Sequence, residues 1–189
     1  MEYKEILGAI SVVIALGISL SYIYTIVRGK TRPHLYSVAM DALISTIVFA
    51  GAFTAGAGAG VWSLGVATVL VYVMVILCFK YGTKDVKPID GIFALAALLS
   101  VIPWVLTKDP TISVVLASFI NLVSFIPAYR KTWNDPYSEP ATIWGANAFK
   151  HVVSLPATSV FSVATVFYSA SIILLNIVFV TMILLRRQK

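Results

Sequence analysis

The chain is divided into apolar blocks too poor in charge to face water. Residues 6–27 and 160–185 hold no charged side chain at all, and 35–55, 62–79, 91–106, 112–129 and 141–157 are nearly as apolar. An apolar run of about 18 residues or more reads as a membrane-crossing helix, because only there is lipid the matching solvent. Composition agrees. Charged residues make up 12% of the 189, against roughly a quarter in a soluble domain, and the mean hydropathy is +0.93. The expected fold class is therefore an all-α membrane protein with seven transmembrane helices, a single membrane domain over 1–189.

The net charge of +6 does not point to nucleic acid, because the basic residues sit in short loops between the blocks. With seven crossings and an external N-terminus, Arg28, Lys30, Arg32, Lys80, Lys84, Lys87, Arg130, Lys131, Arg186, Arg187 and Lys189 all fall on the cytoplasmic side. Only Lys4 and Lys108 fall outside. Cytoplasmic enrichment in Lys and Arg sets orientation. The block 91–106 is short for a span, yet without it the basic loop after 112–129 and the basic C-terminus would move outside. Seven crossings, with the N-terminus outside and the C-terminus in the cytoplasm of a cell (inner or plasma) membrane, fit the charges best. The single Cys78 excludes an intrachain disulfide. The first block is too long for a signal core and no cleavage site follows it.

The blocks group as three, one and three: 5–83, a linker helix at 88–107, and 110–187. The first block of each triplet ends in basic residues and a threonine, Arg28-Gly29-Lys30-Thr31 and Arg130-Lys131-Thr132, followed by a proline-bearing loop. The next block of each then carries unusual polar groups, Asp41 in one and Asn147 with Lys150 in the other. One odd helix between the triplets makes them parallel across the membrane, a repeat known to build transporters. Between the second and third blocks, Gly56-Ala57-Gly58-Ala59-Gly60 suits a tight reversal.

Residues 22–33 and 125–133, with Arg28, Pro33, Pro127 and Arg130 among them, resemble the end of the first helix and its loop in each half of the PQ-loop and SWEET superfamily. The architecture is similar over nearly the whole length. The resemblance implies two parallel three-helix bundles joined by a linker helix, rocking about a central path by alternating access. His34 follows the first loop's proline where the family has glutamine. Sugar transporters of that family use asparagines of the third and seventh helices; Asn176 lies in the seventh here, and the third holds none.

Ionisable side chains inside a span are costly and face a cavity or a partner. Ser37, Asp41 and Ser45 share one helix face at i, i+4 and i+8, while Trp144, Asn147, His151 and Ser154 form a polar stripe with Lys150 beside it. Asp41 and Lys150 are expected to meet across the central path, either as an ion pair locking the bundle or as a substrate or proton site. His151 is a packing residue or a proton carrier. Asn121 and Asn176 bond a neighbouring helix or a solute. Trp144 anchors at the interface or stacks on a ring. Pro127 and Pro156 are fixed kinks or hinges. The small stripe Ser11, Ala15 and Ser19 suits close helix contact.

The expected function is a small-solute transporter for a sugar, amino acid, vitamin or organic anion. The alternative is a ligand or sorting receptor on the same fold that binds without transporting. Nothing at usable spacing suggests a catalytic or metal site, so neither an enzyme nor a cofactor is expected. The expected partners are a small-molecule substrate, membrane lipids and, in a homo-oligomer, further copies of the chain, but no nucleic acid.

Overall fold

The computed structural model describes residues 2–82, 88–137 and 139–188. Its elements are helical, with no strand among the described residues. In chain order they are α1 (Tyr3–Val27), α2 (Leu35–Thr54), α3 (Trp62–Tyr81), α4 (Pro88–Leu99), α5 (Ile102–Thr107), α6 (Thr111–Ser124), α7 (Ile126–Asn134), α8 (Ala141–Ser154) and α9 (Val163–Arg187). Lys84, Lys87 and Lys189, counted above among the basic residues, lie outside the described residues.

Five segments are long and apolar enough to cross a membrane: Tyr3–Val27, Leu35–Thr54, Gly58–Tyr81, Thr111–Asn134 (α6 and α7 together) and Val163–Arg187. These are the helices of a multi-pass α-helical membrane protein. The burial pattern agrees, because it is reversed relative to a soluble domain. Val13, Ile76, Leu106 and Leu174 are exposed, while Ser11, Ser113, Ser118 and Asn176 are buried. Small and polar residues at contacts, with large apolar ones outside, are what helices need in lipid.

Two blocks read as single helices are broken. The 91–106 block becomes α4 and α5, parted at Ser100 and Val101, with Pro103 in the first turn of α5. The 112–129 block becomes α6 and α7, parted at Phe125. Proline lacks the N–H that a helix interior uses, so it is tolerated at a first turn and interrupts further in. Pro127 is the second residue of α7, and its side chain lies outside the described part.

The helices pack in a scheme that treats the two triplets alike. In the first, α3 lies against both α1 and α2; in the second, α9 lies against both α8 and α6. Across the triplets, α1 packs on α8 and α2 on α6, with lighter contacts of α2 on α9 and α3 on α8. Exchanging α1, α2 and α3 for α6, α8 and α9 returns the same pairs. The buried stripes repeat too: Ser11, Ala15 and Ser19 of α1 correspond in order to Ser113, Ala117 and Asn121 of α6. The helix α4 rests on α2 and α6.

At one end the triplets are joined by backbone. Between α2 and α3 the chain turns through Gly56 and Gly58, both left-handed at φ 83° and 60°, a conformation open to glycine at no steric cost. The matching loop between α8 and α9 lies alongside: the Ser159 N–H donates to the Ala57 carbonyl at 3.0 Å, and that of Val160 to Gly56 at 3.2 Å. A Cβ on Gly60 would stand 2.8 Å from both the Thr158 N and Cα, and one on Gly58 would strike Ser159. The glycine run is therefore more than a reversal. It lets two loops close to backbone contact.

Gly58→Ala should destabilise the protein by at least the left-handed penalty of about 1–2 kcal/mol, read as a lower unfolding midpoint in detergent. Gly17→Ala is the control, because a Cβ there meets nothing within 4 Å; it should leave the midpoint unchanged or raise it. Equal effects would contradict the seam.

Candidate functional site

At the end opposite the seam a cavity of about 640 Å³ opens between α2, α6, α7 and α8. Its wall is mostly apolar, with Met40, Ile44, Ile120 and Phe125. Its polar groups are few: Tyr36, Ser37 and Asp41 from α2, Asn121 and Ser124 from α6. An apolar pocket with a few convergent polar groups is the usual form of a small-molecule site.

Asp41 is exposed, and the surface it is exposed to is this cavity. Its carboxylate has no hydrogen bond and no ion pair within 4.0 Å among the described residues. Ser37 lies one turn before it, below the His34 cap that opens α2. Ser45, one turn beyond, is buried and donates to the Ala42 carbonyl at 3.1 Å. The predicted face thus divides into a cavity-facing pair and a packed third member.

Lys150 is 6% exposed and likewise has no partner within 4.0 Å among the described residues. No nitrogen–oxygen contact within 4.0 Å joins Asp41 and Lys150.

His151 faces away from the large cavity. Its ring shares a 3.1 Å hydrogen bond between Nδ1 and the Ser169 hydroxyl, and it meets the Tyr168 ring edge-on at 5.8 Å. Beside it, with Ser63, Ser154 and Thr165, is a void of about 10 Å³ under the seam, about enough for one water. The two ends of the interface are thus unequal, one wide and one nearly shut.

Trp144 stands in the first turn of α8 and lines the cavity. It packs edge-on against Phe125 at 5.5 Å and Phe179 at 4.8 Å. Tyr129 joins the cluster and donates to the Leu175 carbonyl. This aromatic wall ties α6, α7, α8 and α9 together. Asn147, one turn further along α8, is half-buried. Pro156 lies in the short turn Leu155–Ala157 that ends α8, so any bending there acts at the seam and not in mid-helix.

The two asparagines differ. Asn121 lines the cavity, 4% exposed, and among the described residues its Oδ1 has no hydrogen-bond partner. Asn176 is fully buried on α9, and neither its Oδ1 nor its Nδ2 is bonded among the described residues. Of the predicted residues, Asp41, Asn121 and Trp144 share the cavity. Lys150 is not among the residues that line it, and His151 belongs to the narrow side. Residues not foreseen are Tyr36, Ser124 and Ser169. A serine or tyrosine in an apolar block carries little signal, because its partner lies on another helix.

An unsatisfied buried amide costs about 1–3 kcal/mol, so Asn176→Val should raise the unfolding midpoint. A lowered midpoint would mean that the amide has partners in the membrane. No family model, characterised protein or solved structure matches the chain, so the site is read from its own chemistry.

Proposed function

We propose that the chain is a small-solute transporter built from two parallel three-helix halves, with seven crossings, that exposes a central site to one side of the membrane at a time. The observation that carries this reading is the opposition of cavity and seam. The cavity lies where α2 and α8 begin and α6 ends, beside the loop bearing Arg28 and Arg32 and the helix α7 that bears Arg130. The seam joins the opposite ends, where α2 and α8 finish. A site open at one end and shut at the other is one state of an alternating-access cycle.

The interchangeable packing of the triplets supports the parallel repeat. Parallel halves require one crossing between them, a role that falls to α4 and α5. Alone, the 12 residues of α4 reach about 18 Å, short of the roughly 30 Å hydrocarbon core. With α5 added, the linker is long enough. This reading gives an external N-terminus and a cytoplasmic C-terminus, with the cavity facing the cytoplasm. It agrees with the PQ-loop and SWEET resemblance of the two loop segments.

Asp41, Lys150 and the Asn121 Oδ1, without a partner among the described residues, support a working site over a purely structural one. Polar groups inside a membrane are costly, and three without close partners serve packing poorly. The same features would suit a non-transporting receptor, which needs the cavity but not an opening seam.

Reconstituted protein should give saturable flux of one solute class from a panel of sugars, amino acids, vitamins and organic anions. In a Cys78→Ala background, cysteines at Ala57 and Ser159 should cross-link across the seam. Oxidation should then abolish flux while ligand binding persists, and reductant should restore it. Unchanged flux in the cross-linked protein would overturn alternating access, and binding without flux in the uncross-linked parent would favour the receptor.

A further inference from the structure

Among the described residues, the wall of the large cavity holds one carboxylate, that of Asp41, and no basic side chain. Asp41 is exposed to the cavity, with no hydrogen bond and no ion pair within 4.0 Å among the described residues. Basic groups at this end lie elsewhere. Lys150 is buried on α8 outside the lining, and the exposed Arg28 holds its guanidinium over the Tyr24 ring, 5.2 Å from the centroid. A carboxylate that faces a mostly apolar space is costly without a counter-charge, and little polar matter screens its field.

Each ligand class meets this wall differently. A neutral solute leaves the carboxylate without a counter-charge, and an anion sets a second negative charge beside it. A hard metal cation supplies the charge but needs several oxygen ligands around it. Beyond the carboxylate, the wall offers little more than the hydroxyls of Tyr36, Ser37 and Ser124. An organic cation supplies the charge and covers Met40, Ile44 and Ile120 with its body. The Phe125 and Trp144 rings line the same space, and aromatic rings both attract a cation and pack against an apolar body. The volume of about 640 Å³ lies within the roughly 300–1,000 Å³ range of small-molecule sites.

We propose that the cavity binds a small organic monocation of the alkylammonium or arylalkylammonium class, its ammonium on the Asp41 carboxylate and its body against the apolar and aromatic wall. This rests on the transporter reading and deepens it by naming the substrate class, and its binding arm stands apart from transport. Asp41 belongs to α2 and Trp144 to α8, so a ligand that reaches from one to the other touches both halves.

The test compares probes that share a body and differ in charge, using the purified full chain in an uncharged detergent. Phenethylammonium, pentylammonium and cyclohexylmethylammonium are each matched with the alcohol and the carboxylate of the same body. Sodium and magnesium chloride are the inorganic probes. A ligand bound only by the native state raises the unfolding midpoint. At least one ammonium should raise it, while its alcohol, its carboxylate and the inorganic salts at the same concentration should not. Asp41→Asn should weaken the ammonium response by at least about tenfold in apparent affinity, and Asp41→Glu, which keeps the charge, should retain the preference. If Asp41→Asn fails to fold, the parent comparison decides together with Ile120→Trp, which narrows the cavity without altering its charge and should weaken the same response. The proposal is overturned if alcohols, carboxylates or inorganic cations match the ammonium ions in the parent, or if no ammonium shifts the midpoint. It also falls if folded Asp41→Asn responds as the parent does. Ammonium binding without flux would retain this site and sink transport; flux of an uncharged or anionic solute without ammonium binding would do the reverse.

Discussion

Lipid offers no hydrogen bonds, and the structure follows from that. Backbone groups must be satisfied inside helices, so the described elements are helices joined by short turns. Large apolar side chains can face outward at no cost, which leaves serine, alanine and glycine for the contacts between helices. Ser11, Ala15 and Ser19 on α1, and Ser113, Ala117 and Asn121 on α6, are the buried stripes that result. The same solvent makes every unpartnered polar group stand out. Asp41, Lys150, Asn121 and Asn176 are tolerable in such a setting only beside a cavity or at a cost in stability.

Two of the places where backbone departs from helix lie at opposite ends of the interface between the triplets. One is the seam, where glycine lets the loops around 56–60 and 157–160 approach to hydrogen-bonding distance. The other is the break at Phe125, which forms part of the cavity wall. Closure at one end and space at the other come from the same packing scheme. The wide end holds Asp41 and Asn121, and the narrow end holds His151 with Ser169.

Much of the helical character was legible because it rests on long apolar runs, which no other solvent explains. The glycine reversal and the in-membrane Asp41 were legible for the same reason: each breaks a local rule visibly. The breaks at Ser100 and Phe125 were only half legible. Pro103 and Pro127 announce an interruption, but the exact residue depends on which neighbouring helix receives the freed groups. The partner of the glycine loop could not be read, since Ser159 and Val160 contribute backbone and not side chain. Nor could the absence of an ion pair between Asp41 and Lys150, because the sequence places two charges in different spans without setting their separation. Asn176 was legible as unusual, but its lack of any partner is a property of the packed interface.

The central claim is a site open at the basic end and shut at the seam, and chemical access tests it most directly. In a Cys78→Ala background, single cysteines at Ser124 and at Ser63 would be challenged with a membrane-impermeant thiol reagent in oriented vesicles without added solute. Position 124 should react from the face that carries Arg28 and not from the other, while position 63 should resist from both. Reaction at position 63 from the seam side, or at position 124 from that side, would contradict the account.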